Sequence, residues 1–161
     1  MKNNSFTCFI LFIQLMDNFF AQWYIIIKKV RKTMNYDDLM QKAMEASKNS
    51  YSPYSKFAVG ACVMADDGST FTGCNFENSS FGMTICAERN AIGSAIAAGK
   101  RIIKAVAIYS PNQDNCVPCG ACRQVMHEFC KNDNDVDIVL KNGDELKVYT
   151  LAQLFPESFS M

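Results

Sequence analysis

From Met34 onward, apolar residues recur with helical or strand periodicity in short stretches that turns separate. Residues 36–49 predict an amphipathic helix, because apolar side chains recur there every three or four positions. Its apolar stripe consists of Leu39, Met40, Ala43, Met44 and Ala46. Three further helices are predicted, at residues 87–98, 120–130 and 151–155.

Five apolar runs are predicted to be β-strands, because turn signals bound them and they are too short for helices. They cover residues 57–65, 70–75, 104–109, 136–140 and 146–150. Asn142-Gly143 is a strong signal for a tight antiparallel turn between the last two strands. The alternation of helices and strands predicts an α/β protein, a three-layer α/β/α sandwich around a five-stranded mixed sheet whose last two strands form an antiparallel hairpin.

The first 33 residues differ from the remainder, because residues 6–27 are strongly apolar and the basic sequence KKVRK follows them. Four polar residues disfavour a membrane span, namely Gln14, Asp17, Asn18 and Gln22. A cleaved secretory signal is disfavoured, because a strongly basic start and a small-residue cleavage site are missing. We favour an upstream addition, since Met34 stands where the acidic part begins. Residues 1–33 are therefore predicted to be an apolar extension outside a domain at 34–161 that carries the chemistry.

The length of 161 residues suits one such domain with a single core. Lys plus Arg and Asp plus Glu both count 16, but from Met34 on there are 11 basic and 15 acidic residues, a net charge of −4. An acidic body binds phosphate backbones poorly, so we expect no nucleic-acid partner. We also expect no membrane partner for this domain.

Eight cysteines indicate either disulfides or metal binding, and their spacing favours metal. Cys116, Cys119 and Cys122 stand at every third position, which suits ligation or a helix face better than bridges between loops. Thiolates must stay reduced to bind metal, so we expect a cytoplasmic protein.

Two segments carry candidate chemistry, Cys86-Ala87-Glu88 and Pro118-Cys119-Gly120-Ala121-Cys122, and each stands at the start of a predicted helix. The three thiolates of Cys86, Cys119 and Cys122 can occupy three corners of a zinc tetrahedron and leave the fourth to water. Glu88 projects from the same helical turn as Cys86, close enough to take a proton from that water.

Charge balance also matters at such a site. Zinc with three thiolates carries a net charge of about −1, which opposes ionisation of the water. The positive ends of both helices offset that charge. Arg89, directly after Glu88, is a candidate to donate hydrogen bonds to the thiolates and draw off electron density.

A purely structural zinc site is the alternative, and it needs a fourth protein ligand. The nearest candidates are His127, Cys130 and Cys116. Only two residues separate His127 from Cys130, where a zinc knuckle has four, so we interpret His127 as an ordinary helix residue. Cys62 and Cys74 lie on predicted strands, where small buried thiols are common.

The two motifs, continued by Arg89 and by Arg123-Gln124, closely resemble those of the homotetrameric cytidine deaminases. So do residues 51–57 (YSPYSKF), 73–78 (GCNFEN) and 154–159 (LFPESF), in the order of that family. The resemblance runs from about Met34 to the C-terminus. It implies the fold of those enzymes, a homotetramer, one zinc ion per subunit, and hydrolytic deamination of cytidine and deoxycytidine in pyrimidine salvage.

The resemblance also implies roles for individual residues. Zinc-bound hydroxide attacks C4 of the pyrimidine, and Glu88 moves the proton from the water to N3 and later to the departing amine. The substrate-binding positions are Phe57, Asn75, Glu77, Phe81, Ala87 and Phe159. Asn75 and Glu77 match residues that hold the sugar 3′-hydroxyl, although without the resemblance a polar turn is the better interpretation. Phe57 matches a residue that packs on the base, whereas Phe81 and Phe159 match residues that reach a neighbouring subunit's site; core packing is the alternative for all three.

Cys86 distinguishes the chain from deoxycytidylate and polynucleotide deaminases, whose motif resembles His-x-Glu at that point. The residues between Leu140 and Leu146 are also too few for the parallel crossover of the polynucleotide enzymes, which takes a dozen or more. Blasticidin-type deaminases of aminonucleoside antibiotics share both features and remain an alternative, as does a non-catalytic module with a structural zinc.

Overall fold

A computed structural model describes residues 34–160 of the chain. Its helices are α1 (Tyr36–Ser47), α2 (Ala87–Ala97), α3 (Gly120–Glu128) and α4 (Leu151–Leu154). Its strands are β1 (Gly60–Ala65), β2 (Thr70–Cys74), β3 (Ile103–Tyr109), β4 (Asp137–Asn142) and β5 (Glu145–Thr150). Every helix and strand predicted from the sequence is present. The predicted extension at residues 1–33 lies outside the described residues.

The five strands form one mixed sheet in the order β2-β1-β3-β4-β5. Only β3 and β4 run parallel, and the other neighbours are antiparallel. The last two strands form the predicted hairpin, in which Asn142 pairs with Glu145. Gly143 has a φ of 61°, a left-handed conformation that the tight turn needs and glycine adopts without strain. The predicted fold class is confirmed.

Two glycines show that helices pack closely on both faces of the sheet. A Cβ atom at Gly60 would lie 2.1 Å from the Ala43 carbonyl oxygen of α1, and one at Gly73 would lie 2.4 Å from the Ala91 nitrogen of α2. Gly73 pairs with Ala61, the neighbour of Gly60, so the two glycines point to opposite faces. The sheet is therefore the middle of three layers.

The main core lies on the face that α2 and α3 cover. Val63, Val106 and Ile138 of the sheet pack there with Ile92 of α2 and Met126 of α3, and all five are at most 1% exposed. Burying side chains of this size stabilises the fold by about 1.5–3 kcal/mol each. This core fixes the two helices whose first residues carry the cysteine motifs.

Strand β1 begins three residues later than predicted, because side chains take the backbone donors that would have extended it. The Ala58 N–H donates to Oδ1 of Asn112 (2.9 Å), and the Val59 N–H donates to Oδ1 of Asn75 (2.8 Å). These side chains hold the segment before the strand in an irregular path. Within residues 34–160, no helix has both the length and the apolar character that crossing a bilayer requires.

Candidate active site

Two of the motif cysteines occupy equivalent positions at the starts of helices. Cys86 precedes the first turn of α2 and Cys119 that of α3, both with extended backbone, and neither sulfur caps its helix. Their carbonyls accept the first helical hydrogen bonds, from the N–H groups of Asn90 (3.1 Å) and Arg123 (3.0 Å). Each sulfur is thus left available at the positive end of a helix, where a thiolate is stabilised.

Cys122, on the first turn of α3, completes a group of three sulfur atoms. The distance from Cys119 Sγ is 3.9 Å to Cys86 Sγ and 3.5 Å to Cys122 Sγ. Tetrahedral zinc, with Zn–S bonds of about 2.3 Å, places its sulfur ligands about 3.8 Å apart. The three cysteines therefore fit a zinc ion without rearrangement of the helices.

A structural zinc site would need a fourth protein ligand beside the three sulfur atoms, and the residues that the structure describes supply none. Within residues 34–160, no further His, Cys, Asp or Glu donor lies within 4.8 Å of all three sulfur atoms. His127 and Cys130 form a separate group with Asp133. Cys116 belongs to neither group, and burial and the charge of Glu88 raise its pKa to about 11. This arrangement is typical of a catalytic metal site with an open position.

Glu88 is the second residue of α2 and is 5% exposed. Its carboxyl group interacts electrostatically with Cys86 and Cys122. Burial and then the negative charge of Cys86 raise the pKa of Glu88 above that of an ordinary glutamate. A buried carboxyl beside the sulfur atoms is suited to accepting and returning protons.

Arg89 lies against the sulfur cluster, as the charge balance of the site requires. Its Nη2 donates to Sγ of Cys86 (3.7 Å) and to the carbonyl oxygen of Thr84 (3.1 Å). Hydrogen bonds from Cys122 and Arg89 lower the pKa of Cys86 to about 5. The pKa of Cys122 is raised, because it donates its proton to Cys86 and is buried. The guanidinium therefore favours a thiolate at Cys86.

Asn75 is 9% exposed, and most of its side-chain hydrogen bonds go to neighbouring segments of the chain. Its Oδ1 accepts from the Val59 N–H (2.8 Å) and from the Ser50 hydroxyl (2.6 Å), while its Nδ2 donates to the Phe57 carbonyl (2.8 Å). An amide side chain has four hydrogen-bonding positions, so one N–H remains for another partner. Asn75 thereby fixes the backbone of Phe57.

Glu77 lies at the edge of a cavity of about 450 Å³. The cavity is lined by Tyr54, Ser55, Glu77, Phe81 and Thr84. Glu77 Oε2 accepts from the backbone N–H groups of Tyr54 (2.8 Å) and Ser55 (3.2 Å), and the hydrogen bonds of these residues lower the pKa of Glu77. The carboxylate is thus held ionised beside the cavity.

The remaining predicted site residues differ in exposure. Ala87 is fully buried at the start of α2, and Phe57 is partly buried. Phe81 and Phe159 are 76% and 68% exposed. Phe81 packs edge-on against Tyr54, with ring centroids 6.0 Å apart, whereas the Phe159 carbonyl accepts from Gln124 of α3. Phe81 therefore lines the cavity, while the Phe159 backbone is attached to α3.

Two residues that support the cluster were given no role on the basis of the sequence. Arg123 donates through Nε to the Pro118 carbonyl (2.8 Å) and through Nη1 to the Leu154 carbonyl (2.6 Å), joining the second motif to the end of α4. Its position next to Cys122 was the available signal. Thr84 supports Arg89 through a backbone carbonyl, which no residue type reveals.

Comparison with protein families agrees with this geometry. The model of the cytidine and deoxycytidylate deaminase zinc-binding region matches residues 33–136. Cytidine deaminase of Sporosarcina psychrophila is 42% identical over 127 residues, covering 79% of this chain and 93% of that protein. The probable cytidine deaminase of Dictyostelium discoideum is 40% identical over 132 residues, covering 79% and 87%.

Solved structures show the same likeness. Cytidine deaminase from Burkholderia pseudomallei aligns with a TM-score of 0.72 at 41% identity, covering 78% of this chain and 100% of that one. The enzyme from Mycobacterium tuberculosis aligns with a TM-score of 0.69 at 34% identity, covering 80% and 99%. The family match, these identities and the three-cysteine cluster lead to one conclusion: the chain belongs to the cytidine and deoxycytidylate deaminase family.

Proposed function

We propose that the protein hydrolyses cytidine and deoxycytidine to uridine and deoxyuridine, with release of ammonia. The observation that carries this proposal is the buried Glu88 carboxyl beside three sulfur atoms that lie within 4.8 Å of one another. Relatives that are named cytidine deaminase match 93% and 96% of their own lengths at 42% and 40% identity, which supports the same reaction class.

Cys86, Cys119 and Cys122 would hold one zinc ion per subunit, since their spacing fits a tetrahedral metal and leaves one position free. When bound, the ion supplies Lewis-acid activation of a water molecule at neutral pH. Arg89 would balance part of the thiolate charge through its contact with Cys86. Arg123 is a positioning residue, because it ties the second cysteine motif to α4.

Glu88 would carry the protons of the reaction. It takes one proton from the attacking water and delivers it to ring N3 while the new C4–O bond forms. A proton then passes through the carboxyl group to the amino group, the C4–N bond breaks and ammonia leaves. The raised pKa of Glu88 suits this double role. A carboxylate with a raised pKa accepts a proton more readily than an ordinary glutamate, and the carboxyl group can then donate that proton to the substrate.

The substrate is proposed to be a nucleoside rather than a nucleotide. The remaining N–H of Asn75 and the ionised Glu77 suit a sugar hydroxyl, which both donates and accepts. At 4–5 Å a phosphate charge would be repelled by Glu77 by about 1 kcal/mol even at the dielectric of water, and by more inside the protein. Phe57 would pack against the base.

We also propose the homotetramer, in which Phe81 and Phe159 would reach neighbouring subunits' sites. Their exposures of 76% and 68% support a partner, because large aromatic side chains are seldom left so open in a monomer. Light scattering should give four times the mass of the 18.0 kDa chain. A role in pyrimidine salvage in the cytoplasm follows from the proposed reaction and from the need for reduced thiolates.

The proposed function is tested with a substrate panel on zinc-loaded protein. Cytidine, deoxycytidine, cytidine 5′-monophosphate, adenosine and blasticidin S are each incubated with the protein, and product and ammonia are quantified. We expect turnover of cytidine and deoxycytidine. Cytidine 5′-monophosphate should be turned over at least about tenfold more slowly, because Glu77 repels its phosphate group. Turnover of blasticidin S alone, or of none of the five, would overturn the proposal.

A further inference from the structure

A second group of metal-ligand side chains lies where α3 ends. His127 is in the last turn of that helix, Cys130 follows the helix, and Asp133 begins the 3-10 turn Asp133–Asp135. One nitrogen, one sulfur and one carboxylate oxygen of these residues lie within 4.8 Å of one another. The group shares no residue with the proposed catalytic cluster.

The distances within this group are those of hydrogen bonds. His127 Nδ1 lies 2.8 Å from Oδ1 of Asp133, and Cys130 Sγ lies 3.1 Å from the same oxygen. The Ser158 hydroxyl lies 3.3 Å from Oδ2. One carboxylate thus gathers an imidazole, a thiol and a hydroxyl around itself.

Neighbouring contacts hold the donors in place. The His127 ring packs edge-on against Phe155, with centroids 6.5 Å apart. The Asn132 side chain accepts from the Asn134 N–H and thereby caps the turn that carries Asp133. Such supporting contacts fix ligand orientation before an ion arrives.

We infer that His127, Cys130 and Asp133 form a second site, for a divalent transition-metal ion such as Zn²⁺ or Co²⁺. A nitrogen, a sulfur and an oxygen donor suit these ions, whereas Mg²⁺ and Ca²⁺ prefer oxygen alone. Thiolate and carboxylate together neutralise the two positive charges of the ion. The Ser158 hydroxyl or a water molecule completes four-coordination.

The ion replaces the protons that now hold the donors together. The Cys130 thiol loses its proton to solvent, and the imidazole turns its lone pair to the metal. The donor atoms then separate to about 3.3–3.5 Å, which bond lengths of about 2.0–2.3 Å to a tetrahedral ion require. His127 and Asp133 side chains are 21% and 15% exposed, so the ion can reach the site from solvent.

Occupancy would join three segments of the chain. The ion connects the end of α3 to the 3-10 turn, and through Ser158 it reaches the C-terminal segment that carries Phe159. We expect this site to bind more weakly than the three-cysteine cluster, because its donors must move apart and a thiol proton must be displaced.

The inference is tested by titrating Co²⁺ into the zinc-loaded protein. We expect a near-ultraviolet thiolate-to-cobalt band that saturates at one cobalt per chain, while metal analysis shows that the first zinc is retained. The band should be absent in Cys130→Ser and should need at least tenfold more cobalt in Asp133→Asn. The control Cys74→Ser, which removes a thiol outside both groups, should leave the titration unchanged.

Three outcomes would overturn the second site: no band, a band that Cys130→Ser leaves intact, or a band that appears only as zinc is lost. Cytidine turnover should be retained in all three variants, which verifies that they are folded. His127→Ala removes a different donor and should weaken cobalt binding in the same way, so the test stays decisive if Cys130→Ser is unstable.

Discussion

The two ends of α3 carry similar side chains in opposite electrostatic surroundings. At its start, Cys119 and Cys122 meet Cys86 from the segment before α2, and hydrogen bonds from Cys122 and Arg89 lower the pKa of Cys86 to about 5. Beyond its end, burial together with the hydrogen bond and charge of Asp133 raises the pKa of Cys130 to about 12. The two groups thus differ in the charge beside a thiol, which is a guanidinium at Cys86 and a carboxylate at Cys130.

The difference indicates what each group can do. At Cys86 the thiolate is already favoured, so metal binding there has a small cost for deprotonation, and the buried Glu88 carboxyl beside this group can then move protons. A protonated thiol in a hydrogen-bonded network binds an ion only by giving up that network. The first group is therefore suited to a permanent catalytic metal, and the second to a weaker, exchangeable one.

The largest contrast is expected from removing one sulfur at each end of α3. Cys122→Ser removes a proposed ligand of the first group, so the zinc content of purified protein should fall to near zero and turnover should be lost with it. Cys130→Ser should keep both zinc and turnover. Metal analysis and a cytidine assay on the same preparations check this. Retention of catalytic zinc by Cys122→Ser would contradict the assigned ligand set.

A second substitution is expected to displace α2 and to leave α3 in place. Gly73→Ala places a Cβ 2.4 Å from the Ala91 nitrogen, and overpacking of this kind costs about 1–3 kcal/mol of unfolding free energy. Turnover should fall sharply, because α2 carries Cys86 and Glu88, while cobalt binding at His127 should persist. Denaturant unfolding and the cobalt titration measure both effects.

Gly93→Ala is the matched control on α2, because a Cβ there meets nothing within 4 Å. It should be neutral or stabilising by up to about 1 kcal/mol, as alanine favours a helix over glycine. Equal destabilisation by both substitutions would mean that close packing at Gly73 is not what positions α2.

Substitution of Arg89 tests the electrostatic difference between the two groups. Arg89→Ala removes the hydrogen bond to Cys86, and loss of such a supporting contact lowers metal affinity by about 10–100-fold. Zinc competition with a chelator measures the change, and the pH–rate profile should shift as well. The control Arg101→Ala, past the other end of α2, should change neither. An unchanged zinc affinity in Arg89→Ala would remove the charge-balancing role.

The smallest effect is expected at Asp133. Burial acts to raise the pKa of Asp133, but hydrogen bonds from His127 and Cys130 outweigh it and the pKa is lowered. A lowered carboxyl pKa stabilises the fold above the unfolded value of about 3.9 and loses that contribution as pH falls through the folded value. Asp133→Asn should therefore cost about 1 kcal/mol at neutral pH. Unfolding at several pH values below the unfolded carboxyl pKa of about 3.9 should show the difference from wild type shrinking, and a growing difference in that range would be contradictory.

Much of the fold was predictable, because local pattern and tertiary packing agree. The turns at Asp66-Asp67-Gly68 and Asn142-Gly143 each join two apolar runs, and the helices that follow Cys86 and Cys119 bury their apolar faces on the sheet. The cysteine spacing indicated the metal-ligand candidates for a related reason, since each motif begins a helix that the core holds in place.

Other features depend on contacts between distant segments, which periodicity does not encode. The Asn75 side chain forms hydrogen bonds with the backbone of Phe57 and Val59, so β1 starts later than predicted. Only one N–H of the Asn75 side-chain amide is left for a substrate. His127 was interpreted as an ordinary helix residue, yet the turn after α3 folds back and brings Asp133 to it. In both cases a polar side chain finds its partner only when the tertiary structure forms.

Glu88 is proposed to move protons beside a metal that other residues hold. The most direct test of this proposal is Glu88→Gln, with zinc content and cytidine turnover measured on one preparation. We expect wild-type zinc content and turnover reduced by roughly 10²–10⁴-fold, because the proposed ligands remain while the general acid and base is gone. Turnover close to that of wild type, with zinc fully retained, would contradict it.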